Sequence, residues 1–302
     1  MLTSLDAILA AAKATGGRKK IAVAVAQDPE VITAIKGAYE LGIATAILVG
    51  DAEGIRAAAQ KVEFDLDQVE IVHEPNPIQA ARKAVELVHN GRAQMLMKGL
   101  LNTADILRAV LDKEIGLRTG RVLSHVAVME APGYGRLLLM TDGGMNIAPD
   151  LKQKAQMIEN AVTVAHKLGI ECPKVAAIAA FEQVNPAMPA TVEAALLAKM
   201  ADRGQIKHCI VDGPIALDGA ISPEAAAHKG MQSPVAGQAD ILLMPYIEVG
   251  NAMYKTLVYL GHGRVAGVVA GAAAPIILTS RSDTPQAKLH SIAIAVLMAE
   301  GA

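Results

Sequence analysis

Near the carboxyl end of the chain, Ser280-Arg281-Ser282-Asp283 brings a hydroxyl, a guanidinium and a carboxylate to the end of an apolar run, Pro275-Ile276-Ile277-Leu278. The β-branched residues of that run read as a buried strand. In an open α/β sheet, ligands lie just beyond the carboxyl ends of strands. A hydroxyl and a guanidinium at such a place suit an oxyanion, because arginine offers a planar fork of donors that matches phosphate. The bland counterpart is a surface arginine paired with Asp283.

Other apolar runs end in similarly polar turns. Gln94–Met97 leads into Lys98-Gly99-Leu100-Leu101-Asn102-Thr103-Ala104-Asp105, where Thr103 is the expected N-cap of a helix over Ala104–Leu111. The free amides of that terminus, with Lys98 beside them, can hold an anion. Arg136–Met140 leads into Thr141-Asp142-Gly143-Gly144-Met145-Asn146, where the paired glycines allow positive φ or close backbone approach. His208–Val211 leads into Asp212-Gly213-Pro214, readable as a tight turn, and Asp240–Pro245 leads to Glu248 and Gly250-Asn251 with Tyr254-Lys255. Several such ends in one α/β chain predict a single cleft. The P-loop, nucleophile-elbow and H-E-x-x-H signatures are absent from the sequence. His125 and His208 fall in predicted strands and read as core histidines.

The elements that must position these residues follow a βαβα rhythm. Ile21–Ala26, Ala44–Val49, Val69–Val72 and Gln94–Met97 read as strands, with helices over Pro29–Leu41, Ala52–Lys61 and Pro77–Asn90 between them. The continuously apolar strands predict a mostly parallel sheet with helices on both faces. The rhythm breaks at Leu123–Met129 and Arg136–Met140, whose short connection demands an antiparallel hairpin. A second α/β domain is expected from there, giving 1–122 with 276–302 as the first domain and 123–275 as the second. Asp150–Leu168 predicts a helix capped by Asp150 and ended by Gly169. Further strands are expected at Lys174–Ala180, His208–Val211, Asp240–Met244 and Gly267–Ala270. Helices are expected at Pro189–Arg203, Pro223–Gly230, Gly250–Leu260 and Ala287–Ala299.

Composition narrows the function classes. Of 302 residues, 52% are apolar and 19% charged, which describes a folded globular chain. A net charge of −2 and 2% aromatics argue against nucleic acid as a partner. Cys172 and Cys209 lack metal-site spacing and read as buried inert thiols. The amino terminus reads as a short amphipathic helix and not as a signal peptide. The apolar stretch Val265–Leu278 is too short to cross a bilayer. A cytoplasmic protein without membrane association is the expectation.

The runs Lys98–Leu107, Thr141–Asp150, Asp212–Ser222, Pro234–Pro245, Gly250–Lys255 and Thr279–Asp283 resemble the phosphate acetyl/butyryltransferase family, in order and spacing, from about Ala22 to Ala295. The likeness is strongest to its butyryl-transferring members. It implies conversion of an acyl-CoA and inorganic phosphate into an acyl phosphate and CoA, with no metal or redox cofactor. It also implies a two-domain fold shared with isocitrate and isopropylmalate dehydrogenases, an active site in the interdomain cleft, and a homodimer or larger homo-oligomer.

By the same resemblance, Ser280 and Arg281 match a serine–arginine pair at the phosphate and acyl centre, and Arg108 matches a substrate-contacting arginine. Lys98, Asn102, Thr103, Asp142, Gly143, Gly144, Asn146, Asn251, Tyr254 and Lys255 are the remaining expected binding residues. Two positions depart from the acetyl-transferring members. Their further arginine after the Tyr254-Lys255 motif is missing from Thr256-Leu257-Val258-Tyr259, and their catalytic aspartate falls near Ala287. Asp283, the nearest carboxylate, is then expected to act as base or as a structural partner of Arg281, with Asp142 and Glu248 the next candidates for the base, and an acyl group longer than acetyl is expected. The alternatives are an acetyltransferase, an NAD-dependent decarboxylating dehydrogenase of the same fold, and a non-catalytic sensor of acyl-CoA or acyl phosphate.

Overall fold

The computed structural model describes residues 1–280 and 283–299, so the expected site residue Arg281 lies outside the described residues, as does Ser282. The chain opens with helix α1 (Leu5–Ala14) and then alternates through β1 (Lys19–Ala24), α2 (Pro29–Glu40), β2 (Ala44–Gly50), α3 (Ala52–Lys61), β3 (Glu70–His73), α4 (Pro77–His89), β4 (Met95–Lys98) and α5 (Thr103–Val110). The hairpin β5 (Ser124–Glu130) and β6 (Leu137–Thr141) follows, then α6 (Leu151–Lys167), β7 (Lys174–Ile178), α7 (Pro189–Asp202) and β8 (Ile210–Ile215). Two short helices, α8 (Leu217–Ile221) and α9 (Pro223–His228), lead to β9 (Ile241–Leu243) and α10 (Ile247–Tyr259). The chain closes with β10 (Arg264–Ala270), β11 (Ile276–Ile277) and α11 (Pro285–Met298).

Two compact units result, one of Leu5–Arg121 with Ala266–Ala302, the other of Met1–Ser4 with Val122–Val265. In the first, the strand order is β3-β2-β1-β4-β11, continuing to β10. All these pairs are parallel except β10 with β11. Strands β1, β2 and β4 are apolar and almost wholly buried, as parallel strands must be when helices cover them. Helix α11 is buried without a break from Lys288 to Leu297, the pattern of a helix inside a core. In the second unit the order is β5-β6-β9-β7-β8, parallel except for the β5–β6 hairpin.

Capping chemistry sets the helix starts. Asp28 accepts the Glu30 amide ahead of Pro29 at the start of α2. Asp150 and Gln153 form a reciprocal capping box on α6, at 2.8 and 2.9 Å. Gly169, at φ +81°, follows the end of α6, as expected of a residue free to turn left-handed.

Three expectations need correction. Asp212-Gly213-Pro214 is not a turn after a strand, because all three residues lie within β8. A Cβ on Gly213 would stand 2.8 Å from Ala177, and β8 ends the strand order of its unit, where the missing proline donor is tolerated. His208 precedes β8 in a left-handed conformation, φ +62°, and so is not a core strand residue. The cysteines are not both buried: Cys172 is exposed, and Cys209 is half-buried, with burial pushing its thiol up to about 11.

Removing the α6 cap gives the first test. We expect Asp150→Ala to lower stability by about 1 kcal/mol, read as a shifted urea midpoint with unchanged slope. An unchanged midpoint would show that the capping box contributes nothing.

Candidate functional site

In the first unit, β1 leads to β2 and β3 on one side, while β4 and β11 lie on the other. The strand order reverses between β1 and β4, and that is where such sheets bind ligands. The two exits are locked together. Gly99 donates its amide to Ala24 O at 2.8 Å, and Leu100 donates to Val25 O at 2.8 Å. A Cβ on Gly99 would stand 2.2 Å from Val25 O, so only glycine fits. Val25 itself is left-handed at φ +58°, a costly state for a β-branched residue and one found mainly at functional sites.

Lys98 is only 5% exposed. Its Nζ donates to the carbonyl oxygens of Gly99 at 3.3 Å and Leu101 at 3.2 Å, which draws the loop around the charge. The expected cap is displaced by one residue: Asn102 takes the N-cap position of α5, Thr103 is its first residue, and no side chain caps the helix. The helix start is held by the backbone, with the Asp105 and Ile106 amides on Asn102 O at 3.1 and 3.4 Å. Arg108 extends outward, with its side chain 70% exposed and Nη1 on Asp105 Oδ1 at 2.9 Å.

At the neighbouring exit, the chain runs on from β11 through the buried Thr279 to the exposed Ser280. The Ser280 amide donates to Asp283 Oδ2 at 2.7 Å, and the Asp283 amide donates back to Ser280 O at 3.2 Å. One carboxylate oxygen of Asp283 is therefore already taken by the Ser280 amide, a second use for a group expected only as base or arginine partner. Thr284 caps α11 through the Ala287 amide at 3.2 Å. Two charged groups not singled out by the sequence reading meet at this edge. Lys288 Nζ donates to Glu30 Oε2 at 3.0 Å and to the backbone carbonyl of Asp283. The available signal was a lysine interrupting an apolar helix.

The second unit places the other expected residues. Asp142 is 1% exposed, and both its oxygens are engaged. Oδ1 accepts from the amides of Gly144 at 2.6 Å and Met145 at 2.9 Å. Oδ2 accepts from the His125 amide at 2.9 Å and from Asn146 Nδ2 at 2.7 Å. Asn146 Nδ2 also reaches Leu123 O at 2.9 Å. Asp142 and Asn146 thus tie the loop after β6 to β5, which leaves Asp142 unsuited to act as a base. Gly143 and Gly250 lie back to back: a Cβ on Gly250 would stand 2.6 Å from Asp142 O, and one on Gly143 2.8 Å from Gly250 C. Gly144 has no such neighbour and no positive φ. Asn251 bridges the same junction, with Nδ2 on Gly143 O at 3.2 Å. Helix α10 starts at Ile247, ahead of the expected Gly250, and puts Glu248 in its exposed first turn. Tyr254 packs half-buried on the cluster containing Met140 and Leu242, while Lys255 is exposed.

No group of three His, Cys, Asp or Glu side chains among the described residues is arranged to hold a metal. Asp218, which a dehydrogenase-type metal set would need, is tied to Lys229 at 2.8 Å, and that ammonium holds its carboxyl below the usual range.

Comparison with known proteins bears on this geometry. The family model described as phosphate acetyl/butaryl transferase matches residues 4–78 and 68–296. The phosphate butyryltransferase of Clostridium acetobutylicum is 56% identical over 281 residues, 93% of either chain. The phosphate acetyltransferase of Thermotoga maritima is 46% identical over 286 residues, 95% of this chain and 97% of its own. Among solved structures, a branched-chain phosphotransacylase from Enterococcus faecalis superposes with a TM-score of 0.81 at 36% identity, covering 93% of this chain and 99% of its own.

The locking role of Asp142 is open to test. We expect Asp142→Asn to cost about 3 kcal/mol, because an amide NH2 would face donors in place of one acceptor oxygen. Denaturant unfolding checks this, and wild-type stability in the variant would remove Asp142 from the loop's support.

Proposed function

The chain belongs to the phosphate acetyl/butaryl transferase family, and from that premise we propose that it converts a short-chain, butyryl-like acyl-CoA and inorganic phosphate reversibly into acyl phosphate and CoA. The single observation that carries the reading is the 56% identity to a phosphate butyryltransferase across 93% of both chains. Family membership makes the chain an acyltransferase and sets aside the dehydrogenase and sensor alternatives. The reading includes a homodimer or larger homo-oligomer, which rests on the family resemblance, and a cytoplasmic location, which is the expectation from the sequence.

The chemistry asks for few groups. A phosphate oxygen attacks the thioester carbonyl, the tetrahedral intermediate carries an oxyanion, and the C–S bond then breaks. The proton carried by the phosphate ends on the departing thiol, so atoms and charge balance. In the reverse direction the thiolate attacks and phosphate leaves. We assign the oxyanion and the phosphate to Ser280 and Arg281, with the open first turn of α5 at Asn102 and Thr103 as a second anion-binding feature. Holding both substrates together supplies much of the remaining acceleration. Asp283 is assigned to support of the Ser280 turn as well as to any proton transfer, since one of its oxygens already takes the Ser280 amide.

An acetyl substrate is the second reading, favoured by the 46% identity to a phosphate acetyltransferase over 95% of the chain. A phosphate-dependent thiol-release assay in EDTA separates the two. We expect butyryl- or isobutyryl-CoA to be turned over faster than acetyl-CoA. Acetyl-CoA as the best substrate would give the second reading, thiol release only after adding magnesium or zinc would defeat the metal-free mechanism, and no thiol release from any acyl-CoA would defeat both readings.

Arg281 has its own test. We expect Arg281→Ala to cut turnover about 100-fold with the fold intact, the usual effect of removing an oxyanion donor. Arg281→Lys should recover only part, because a point charge does not replace a bidentate fork. Near wild-type turnover in the alanine variant would make Arg281 a bystander.

A further inference from the structure

We infer that Lys288 is a positioning residue that fixes Ser280 and Asp283 for phosphate, an inference that rests on the acyltransferase reading above. Lys288 lies in the first turns of α11 and is 2% exposed. Burying an ammonium is costly, and a buried ion pair can often be replaced by apolar groups without loss of stability. From Lys288 to Leu297 every residue of α11 is buried, most of them apolar, so a methionine or leucine at position 288 would suit the core better than a charge does. Stability therefore does not explain the lysine, and its contacts supply another reason.

Nζ reaches two groups from different parts of the chain. One is the carboxylate of Glu30, in the first turn of α2, at 3.0 Å. The other is the backbone carbonyl of Asp283. Asp283 in turn holds Ser280 by the reciprocal pair of hydrogen bonds between Ser280 N–H and Oδ2 and between its own N–H and Ser280 O. The order of contact is Glu30, Lys288, Asp283, Ser280. It joins the exit of β1 to the exit of β11, two strands that both pair with β4. Glu30 is half-exposed and stays solvated, so the anchored end of the chain of contacts carries little desolvation cost, while the end at Asp283 is a dipole with its oxygen drawn toward the ammonium. Without the lysine, Asp283 and Ser280 lose the contact that ties them to α2.

The test uses the full chain. Lys288→Met keeps the volume and removes the charge. We expect it to fold, with phosphate KM raised at least fivefold, kcat lowered about tenfold and acyl-CoA KM within twofold of wild type. A smaller folded fraction would lower apparent kcat and leave phosphate KM alone, so the phosphate KM separates positioning from stability. Glu30→Gln, at a half-exposed site, should move phosphate KM in the same direction by a smaller factor, and it decides the matter if Lys288→Met does not fold. Amide exchange followed by mass spectrometry gives a readout independent of turnover: the peptide over 279–289 should exchange faster in both variants. Unchanged phosphate KM in a folded variant, or unchanged exchange in that peptide, would overturn the inference. A wild-type enzyme that protects this peptide in the Lys288-dependent way but releases no thiol from any acyl-CoA would instead overturn the acyltransferase reading.

Discussion

The parallel pairing of β1 with β4, in register from Ile21 opposite Met95 to Ala24 opposite Lys98, is the constraint on which the site depends. It skips β2 and β3 and so creates the reversal in strand order at which the backbone opens. β4 is buried throughout and β1 from Ile21 onward, so their exits must satisfy every emerging amide and carbonyl locally. The Gly99 and Leu100 amides do this by reaching back to Ala24 and Val25, and the price of that closeness is a glycine at 99 and a left-handed valine at 25. β11 adds in parallel beside β4, with Ile276 opposite Leu96 and Ile277 opposite Met97, and Ser280 follows three residues on.

The polar residues at these exits serve two masters. A buried carboxylate or ammonium must be paired before it can do chemistry, and pairing consumes lone pairs and protons. Asp142 has given both oxygens to the loop after β6 and is fully committed. Lys98 has turned part of its donor capacity inward to Gly99 and Leu101. Asp283 has given one oxygen to Ser280. Residue type and position at a strand end are therefore weak guides to a direct role, and hydrogen-bond occupancy is the sharper one.

That distinction explains what the sequence made legible. The alternating strands and helices, the antiparallel hairpin, the α6 cap and the glycine after it all follow from local rules of periodicity and capping, and most are found within a residue or two, while β8, β10 and α10 depart by three or four residues at one end. Local rules failed where a distant contact overrides propensity. Asp212-Gly213-Pro214 looks like a turn, yet Gly213 is flattened against Ala177 and the segment stays extended. Thr103 looks like a cap, yet the backbone places Asn102 there. The Gly143–Gly250 contact spans more than a hundred residues, so neither glycine announces its partner. The same holds for Lys288 with Glu30, two charges that a one-dimensional reading sees only as a helix residue and a first-turn acid.

The position of the catalytic base, which the family pattern leaves empty near Ala287, matters less than it first suggests. A thiol of ordinary acidity, pKa about 8.5, is ionised at neutral pH at a cost of about 2 kcal/mol. In the direction of acyl phosphate formation the thiolate is the leaving group, and the attacking phosphate brings its own proton. Losing one fixed oxyanion donor costs about 3 kcal/mol, so the donors outweigh the base. With the oxyanion assigned to the Ser280 end of β11 as proposed, the reaction depends chiefly on how rigidly Ser280 is presented. By the inference drawn from its contacts, Lys288 with Glu30 holds that presentation through the Asp283 carbonyl, with no need to touch a substrate.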